Sequence, residues 1–522
     1  MNEKIRDLLF LCISVFLIFN NIPKPIQMNF IGGPVGNKLV FYPLLIGFIY
    51  TAYCQWKYKN VLVNFKPFVK YLLLYIGVML LSLIFGLFNY PHWDDVFAGP
   101  INQIEKIPKI IYALEYCGVD VNVMVLTIGW IFLSQAKWIL LETFWCFGGS
   151  YLIYCWYRND WKRGIGVAFK GLLISAFLFI SYGFIDTLYL SGSDLAKKIL
   201  ININPIIHTV KDQNGWWPPL LLKNQLRSVF SEPSHIGNYL AIILPILFFK
   251  YIEQKKTYIL LLINCLSFLV ILSKARTAYA MMFGILFLCI FVNLNDEKKY
   301  LKNISIIIIV VASGIFLGVQ YMSLGKFLDV NIPATSIETN EKYTVENALD
   351  DNLLSLASSD KRSNGARYAL IKTNLRIAAQ HPLLGVGTGL GTAYMIDNYD
   401  DDEKSNGEVA MWIKNTKKYG IFASGKGIGS AMNEFITRLA QNGVVGLSVY
   451  LCPFIIAIYK LLRIGIKEKN IDAKMLAVIL ISILVSGCNG SVNIIYSIWI
   501  FLGISYAMVY DKKVNIDCNE RA

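Results

Sequence analysis

Residues 68–89 read FVKYLLLYIGVMLLSLIFGLFN, an apolar run interrupted by a single lysine. A helix needs roughly 18 apolar residues to cross the hydrocarbon core of a bilayer, and this run is long enough. Similar runs recur along the 522-residue chain, which is 55% hydrophobic. We predict an all-α polytopic membrane protein with about twelve transmembrane helices. The predicted spans are residues 7–22, 39–55, 68–89, 136–156, 165–187, 236–251, 257–273, 278–293, 303–321, 443–462, 475–490 and 492–510.

The basic residues predict the orientation of these spans. The chain carries a formal charge of +14, and its lysines and arginines cluster in short connectors. With twelve spans, the connectors at residues 57–66, 158–163, 250–256, 298–302, 463–474 and 512–513 all fall on one side. By the positive-inside rule this side is cytoplasmic, together with both termini. Topology thus accounts for the basic charge, and we expect no nucleic-acid partner.

The polar residues are concentrated between the spans. We divide the chain into N-terminal transmembrane helices (1–187), an external loop (188–235), central transmembrane helices (236–321), a large external loop with catalytic helices (322–442), and C-terminal transmembrane helices with a cytoplasmic tail (443–522). The first segment lacks a small-residue cleavage site and is interpreted as an uncleaved span. The apolar stretch at 123–135 is compatible with a re-entrant or interfacial segment. The concentration of polar residues in two external loops predicts that the active site lies there.

The loop at 188–235 contains two candidate binding features. Trp216 and Trp217 precede two prolines and could stack on a sugar or anchor the chain at the membrane interface. Arg227, Glu232 and His235 lie within nine residues at a predicted helix start, where the positive helix end favours an anion. Glu232 could instead simply complement the helix dipole.

Further cations lie in the external turn at residues 273–277. Lys274 and Arg276 are on the side where the positive-inside rule disfavours cations. They indicate a bound anion such as phosphate, or lysine and arginine side chains that reach towards lipid head groups. Within the spans, Glu142 is the notable ionisable residue, and Lys170 is its possible partner.

A helix is predicted over residues 366–380. On a wheel of roughly 100° per residue, Arg367 lies near the centre of the apolar face and Arg376 on the opposite side. We therefore expect Arg367 to be buried with an anionic or hydrogen-bonding partner and Arg376 to be solvated.

Alternating glycines follow this predicted helix in HPLLGVGTGLG (381–391). They permit close approach of the backbone to a ligand, but the segment is neither a P-loop nor a Rossmann fingerprint. Residues 400–403 are acidic and could hold Ca²⁺ or form a solvated loop tip. The ten cysteines show no disulfide framework and no metal-site spacing, and we predict no metal and no cofactor.

Four segments together resemble the O-antigen ligase and O-antigen polymerase superfamily of bacterial envelope glycosyltransferases. They are SEPSHIGNYL (231–240), LSKARTAY (272–279), GAR followed by HPLLGVGTG (365–389), and NEFI followed by NGVVGL (433–447). The resemblance implies a GT-C-like, metal-independent, inverting transferase on the external face of the bacterial plasma membrane. It also implies an undecaprenyl-pyrophosphate-linked oligosaccharide as donor, with external-loop arginines on the pyrophosphate. Arg276 and Arg367 occupy the places where the family carries these arginines.

The resemblance also helps to distinguish a polymerase from a ligase. Ligases of this family carry a histidine-asparagine pair before the GxxG, and here the pair is Met432 and Asn433. The missing histidine favours a polymerase of O-antigen, capsule or exopolysaccharide repeat units. The alternatives are a ligase that transfers glycan to lipid A core and a non-enzymatic flippase or transporter. Nearly charge-free spans without a repeat argue against the transporter.

Our candidate residues follow from these arguments. The proton acceptor is expected to be Glu232, with His235 and Glu434 as second choices. The predicted catalytic residues are Glu232, Arg276 and Arg367; the predicted substrate-binding residues are Arg227, His235, Lys274, Trp216, Trp217, Asn433 and Glu434. Expected partners are the lipid-linked oligosaccharide, the bilayer, a chain-length regulator and a flippase.

Overall fold

The computed structural model describes residues 1–20, 22–28, 33–59, 61–63, 65–207, 225–294, 298–324, 362–423, 428, 432–492 and 496–511. These residues form α-helices, short 3-10 turns and one π-helical segment, with no strand among them. The helices are α1 (Glu3–Phe16), α2 (Gly33–Gly36), α3 (Phe41–Tyr58), α4 (Phe65–Phe88), α5 (Trp93–Ala98), α6 (Ile107–Tyr116), α7 (Val123–Glu142), α8 (Gly149–Tyr157), α9 (Trp161–Leu190), α10 (Asp194–Ile207), α11 (His235–Gln254), α12 (Thr257–Ser273), α13 (Arg276–Val292), α14 (Lys298–Ser323), α15 (Arg362–Gln380), α16 (Gly391–Asn398), α17 (Asp401–Ser405), α18 (Gly407–Tyr419), α19 (Glu434–Lys467), α20 (Ile471–Gly487) and α21 (Ser497–Val509).

Long apolar helices confirm the all-α, polytopic membrane class. Six helical stretches in the described part of the chain are long and apolar enough to cross a membrane. They are Phe65–Phe88, Val123–Tyr157, Trp161–Leu190, His235–Gln254, Lys302–Ser323 and Glu434–Lys467. Three shorter apolar helices are Thr257–Ser273, Arg276–Val292 and Ser497–Val509. The predicted number of twelve spans and the predicted orientation stay predictions.

The fourth span differs from its prediction. Residues 123–135 are not a separate re-entrant piece, because one helical stretch runs from Val123 to Tyr157. Gln135 lies at the boundary between the two predicted segments and interrupts the apolar run there. A π-helical turn at Thr143–Gly148 joins α7 to α8 within this stretch. Such turns occur often at functional sites because they turn side chains out of the regular helical register.

The core of the bundle lies around α11 and α20, which pack against each other. Both are buried along most of their length, so neither presents a broad face to lipid. The other apolar helices surround this pair. Their outward-facing leucines, isoleucines and phenylalanines are exposed, as expected for side chains that contact lipid.

The glycine-containing loop at 381–391 packs on the start of α19. Val386 N donates to Ala440 O at 3.0 Å, and Gly387 N donates to Gln441 O at 2.8 Å. The helix breaks beside this loop at Gly443, whose φ of 63° is left-handed. A Cβ at Gly443 would collide with the backbone of Leu383, so this position requires glycine. The close approach that the glycines permit is therefore an approach to the protein's own backbone.

Candidate active site

A cavity of about 460 Å³ lies between α4, α7, the π-helical turn, the first turns of α19 and the glycine-containing loop. Its volume is within the roughly 300–1,000 Å³ that is usual for ligand sites. We call it the polar cavity, because polar side chains are numerous in its wall although the surrounding helices are apolar. Its polar lining residues are Lys38, Gln135, Glu142, Thr388, Asn433, Glu434, Thr437, Arg438, Gln441, Asn442 and Ser491.

A buried arginine holds two carboxylates in the wall of this cavity. Arg438 Nε donates to Glu434 Oε1 at 2.5 Å, and Arg438 Nη2 donates to Glu142 Oε1. Tyr75 Oη donates to the other oxygen of Glu142 at 2.9 Å and accepts from Arg438 Nη1 at 3.1 Å. The Arg438 guanidinium also lies 3.8 Å from the centre of the Tyr450 ring. All three guanidinium nitrogens of Arg438 thus donate hydrogen bonds, and these bonds compensate part of the cost of burying the charge.

The local sequence of α19 explains why these groups converge. Asn433 is the N-cap, and its Oδ1 accepts from the backbone N–H groups of Phe435 and Ile436, each at 3.1 Å. Glu434 and Arg438 are four residues apart and so lie on one face. Gln441 and Asn442 extend that face by another turn, and all four side chains line the cavity.

The two carboxylates differ in how many of their oxygens already accept hydrogen bonds. Both oxygens of Glu142 accept hydrogen bonds, from Arg438 and from Tyr75. Glu434 uses Oε1 for Arg438, whereas its Oε2 has no hydrogen-bond partner among the described residues. A carboxylate that is oriented through one oxygen and open at the other has the geometry of a proton acceptor. Glu434 therefore has the more suitable position for chemistry in the cavity.

Cationic and amide groups complete the wall. Burial lowers the pKa of the Lys38 ammonium to about 8. Asn442 Nδ2 donates to Thr388 Oγ1 at 2.8 Å, which ties α19 to the glycine-containing loop. Trp138 lies in the same wall and is 38% exposed, so its ring offers a flat apolar face. Amides, carboxylates and an indole face are the side chains that suit a sugar ligand.

Arg367 lies near the cavity but is not buried, which corrects the helical-wheel prediction. It is exposed, and its Nη1 donates to Asn489 Oδ1 at 3.4 Å. Asn489 directly precedes Gly490 and Ser491, which line the cavity. The guanidinium thus lies beside the wall of the polar cavity and is accessible to a ligand.

The wheel failed because the buried face of α15 is made of small and polar residues. The residues that it buries are Ala366, Ala369, Leu370, Thr373, Asn374, Ile377 and Ala378, whereas Tyr368 and Leu375 are exposed. Small side chains let α15 pack closely on α19. Hydrophobicity alone placed the packed face about a quarter turn away from its real position.

Arg376 was expected to be solvated, and this is also wrong. Its Nη1 donates to Asp400 Oδ2 at 2.7 Å, its Nη2 to Glu403 Oε2, and its Nε to Asn398 O at 2.9 Å. Asp400 and Glu403 form a capping box for α17, so the acidic run is not simply a solvated loop tip. This network fixes the loop helices against α15.

A second group of predicted residues lies at the junction of α9, α11 and α13. Thr277 Oγ1 donates to Ser234 O at 3.2 Å, and Leu226 N donates to Leu272 O at 3.1 Å. These bonds bring the segment with Arg227 and Glu232 beside the turn with Lys274 and Arg276. None of Arg227, Glu232, His235, Lys274 and Arg276 lines the polar cavity. His235 is nevertheless close enough to Lys38 for electrostatic interaction, so both groups are near the same end of the bundle.

The segment around Arg227 is held by a residue that the sequence did not single out. Asp186 on α9 is buried, and its Oδ2 accepts from the backbone N–H groups of Ser228 at 2.8 Å and Arg227 at 3.3 Å. Ser228 has a left-handed φ of 53°. Glu232 follows this clamp, is partly exposed, and accepts from Ser234 Oγ at 3.3 Å.

Sequence reasoning paired Glu142 with the wrong cation. Lys170 is exposed on α9, and the real partner of Glu142 is Arg438. The signal that could have identified Arg438 is its four-residue spacing from Glu434 within the NEFITRLAQNG segment. Trp216 and Trp217 lie outside the described residues. No group of three metal-ligating side chains occurs in the part of the chain that the structure describes.

Comparison with known proteins bears on the central part of the chain. Residues 240–451 match the Wzy_C family, which is described as O-antigen ligase. No curated protein matches the chain significantly. The matched region contains Arg276, Arg367, Glu434 and Arg438. This match supports a role in the assembly of O-antigen or related polysaccharide. The resemblance to the O-antigen ligase and polymerase superfamily is thereby confirmed for residues 240–451, which match the Wzy_C model.

Proposed function

We propose that the protein is a polymerase of surface polysaccharide repeat units, an inverting glycosyltransferase with a GT-C-like fold of about twelve spans. In this proposal it transfers undecaprenyl-pyrophosphate-linked saccharide to a sugar hydroxyl of another lipid-linked unit, on the external face of the bacterial plasma membrane. The observation that carries the proposal is the buried Glu142–Arg438–Glu434 cluster in the wall of the polar cavity. Ionisable residues in membrane helices are expensive and are usually functional.

The reaction can be written with these residues. An acceptor hydroxyl oxygen forms a bond to the anomeric carbon of the donor sugar, and the bond from that carbon to the lipid pyrophosphate breaks. The hydroxyl proton passes to a carboxylate, and the negative charge leaves on the pyrophosphate. We infer that Glu434 Oε2 takes this proton, because Glu434 lines the cavity and Arg438 orients the carboxylate through Oε1.

Cations near the cavity would stabilise the leaving group. Arg367 is exposed beside the Gly490–Ser491 wall, and Lys38 lines the cavity itself. Arg276 and Lys274 are at the neighbouring helix junction, where they would bind the pyrophosphate or guide the lipid-linked donor towards the cavity. Guanidinium groups suit this role because they bind phosphate oxygens through two parallel hydrogen bonds.

The residue at the ligase histidine position supports a polymerase. Met432 is 43% exposed and has a left-handed φ of 51°, directly before the N-cap of α19. A thioether has no basic nitrogen and cannot accept the hydroxyl proton. Glu434, two residues further on, supplies a carboxylate instead. A chain-length regulator and a flippase would be natural partners of such a polymerase.

A transporter is less well supported, because a layer of buried aromatic side chains lies next to the buried cluster. An aromatic layer next to Arg438 is formed by Tyr75, Phe147, Tyr450 and Trp499. The ring centroids of Tyr75 and Phe147 are 4.9 Å apart, and those of Phe147 and Trp499 are 4.8 Å apart. All four side chains are buried. A transport path would need polar groups at this depth.

The test is a reconstitution of the full-length protein with lipid-pyrophosphate repeat units as both donor and acceptor. We expect wild type to give a ladder of products, and Glu434→Gln to give none at equal protein level. Glu115→Gln, an exposed carboxylate on α6, is the matched control and should extend chains normally. Transfer of single units to lipid A core without a ladder would make the protein a ligase. Movement of lipid-linked units across the vesicle without glycosidic bond formation would make it a transporter.

A further inference from the structure

A second cavity, of about 390 Å³, lies between α4, α8, α19 and α21. Five tyrosines contribute to its lining, together with Phe68, Phe147, Ser150, Cys452 and a few aliphatic residues. The tyrosines are Tyr71, Tyr151, Tyr154, Tyr506 and Tyr510, and we call this space the tyrosine cavity. Several of its lining residues are only partly buried, so the cavity opens at the surface of the bundle.

The tyrosine cavity is apolar despite its phenols. Tyr151 Oη donates to Val63 O at 2.8 Å, and Tyr506 Oη donates to Pro453 O at 2.9 Å. Tyr71 Oη donates to Val449 O at 3.3 Å. Backbone carbonyls therefore engage these hydroxyls, and the rings present carbon faces to the space. Such a wall suits a hydrocarbon chain rather than a sugar.

The cavity is separate from the polar cavity. The layer of Tyr75, Phe147, Tyr450 and Trp499 lies between them, and Phe147 is 5.2 Å from Tyr71 between ring centroids. The tyrosine cavity lies beside the first turns of α4 and the last turns of α21, and its α8 residues are Ser150, Tyr151 and Tyr154. The positive-inside pattern predicts that these helix ends are cytoplasmic. A lipid-linked saccharide with its head group in the polar cavity would therefore not have its phosphate here.

Cations lie at the mouth of the tyrosine cavity. Lys460 Nζ donates to Tyr510 Oη at 3.1 Å and lies 4.2 Å from the centre of that ring. Lys66 is exposed and directly precedes Pro67, which lines the cavity. The carboxylate of Asp511, which directly follows Tyr510, accepts from Trp161 Nε1 at 3.0 Å. An apolar slot with lysines at its mouth complements a hydrocarbon chain with an anionic head.

We infer that the tyrosine cavity binds an anionic glycerophospholipid of the cytoplasmic leaflet, with one acyl chain in the slot and the phosphate at Lys460 and Lys66. Basic residues at this membrane surface attract anionic lipids, and each lysine contributes a factor of about five in affinity. The inference does not depend on the proposed polymerase activity, because it concerns lipid binding alone.

The experiment is native mass spectrometry of the full-length protein in detergent, with phosphatidylglycerol and phosphatidylcholine of identical acyl chains. We expect wild type to retain one phosphatidylglycerol in preference to phosphatidylcholine. Lys460→Gln should weaken phosphatidylglycerol binding about fivefold and leave phosphatidylcholine unchanged. Ile456→Trp, which fills the slot, should abolish retention of that one lipid.

Ile466→Trp provides the control, because Ile466 is exposed on the same helix but does not line the cavity. This variant should bind lipid as wild type does, and the unfolding temperature of all variants should agree. Equal retention of the two lipids by wild type would overturn the inference, and so would retention that survives Ile456→Trp. Displacement of phosphatidylglycerol by a polyprenyl phosphate at equal concentration would assign the cavity to the substrate lipid instead.

Discussion

The polar cavity and the junction of α9, α11 and α13 each contain a glutamate and an arginine within the family-like segments, yet they differ in enclosed space. The polar cavity has a volume of about 460 Å³. His235, at the edge of the junction, lines a cavity of about 30 Å³ that extends towards Leu17 and Ser497, and this volume suits a water molecule rather than a sugar. In the first region the charges face a ligand-sized space, whereas in the second Asp186 binds backbone N–H groups. The presence of charged residues in family-like segments is therefore not enough to locate the active site.

Removal of the buried arginine should have the largest effect. In Arg438→Gln, Glu142 and Glu434 lose their cation, and we expect a loss of roughly 3–5 kcal/mol in the free energy of unfolding and no polymer. Thermal unfolding in detergent and a product ladder are the two measurements. Arg463→Gln changes an exposed arginine on the same helix and should behave as wild type. A stable, active Arg438→Gln would show that the cluster is dispensable.

The two arginines of α15 test whether position beside the cavity matters. We expect Arg367→Ala to keep its unfolding temperature but lose chain extension, because this side chain is exposed near the cavity wall. Arg376→Ala should lose roughly 1–3 kcal/mol of stability, because Asp400 and Glu403 lose their partner. Its activity per folded molecule should be retained. The opposite pattern would move the anion site to Arg376.

A substitution at the break in α19 should have the next largest effect on stability. Gly443→Ala puts a side chain at a left-handed φ against the backbone of Leu383, and we expect a loss of roughly 1–3 kcal/mol. Gly129→Ala on α7 has open space around its Cβ and is the control. Equal unfolding temperatures for the two variants would show that the helix tolerates a different path at Gly443.

The smallest expected effect is a dependence on pH. Burial lowers the pKa of Lys38 to about 8, so its positive charge is present below pH 8 and is lost above it. If this ammonium stabilises the leaving group, the rate of chain extension should fall as the pH rises through 8. Glu142, Glu434, Arg438 and the neighbouring Cys146 and His235 are the other titratable groups around it. Lys38→Arg should move the fall to higher pH, and an unchanged profile would exclude Lys38 as its cause.

The sequence predicted the long apolar helices well, because runs such as residues 68–89 carry a strong signal. It failed where polar residues sit inside a continuous helix, as in α7, where Gln135 and Glu142 line a cavity. It also misjudged α15, because alanine, threonine and asparagine form its packed face. Its candidate residues Asn433, Glu434 and Arg367 lie at or beside the polar cavity. Arg438 was missed because its role depends on the contact with Glu142, which is almost 300 positions away in sequence.

The most direct test of the central claim is a comparison of Glu434→Gln with Glu232→Gln. The initial rate of chain extension is measured for both, in vesicles with equal amounts of protein and saturating lipid-pyrophosphate repeat units. Loss of a proton acceptor typically lowers a rate by roughly 10²–10⁴-fold, and we expect this for Glu434→Gln. Glu232→Gln should stay close to the wild-type rate, because Glu232 does not line the polar cavity. A large loss in Glu232→Gln with a near-normal Glu434→Gln would contradict the account and return the reaction to the junction of α9, α11 and α13.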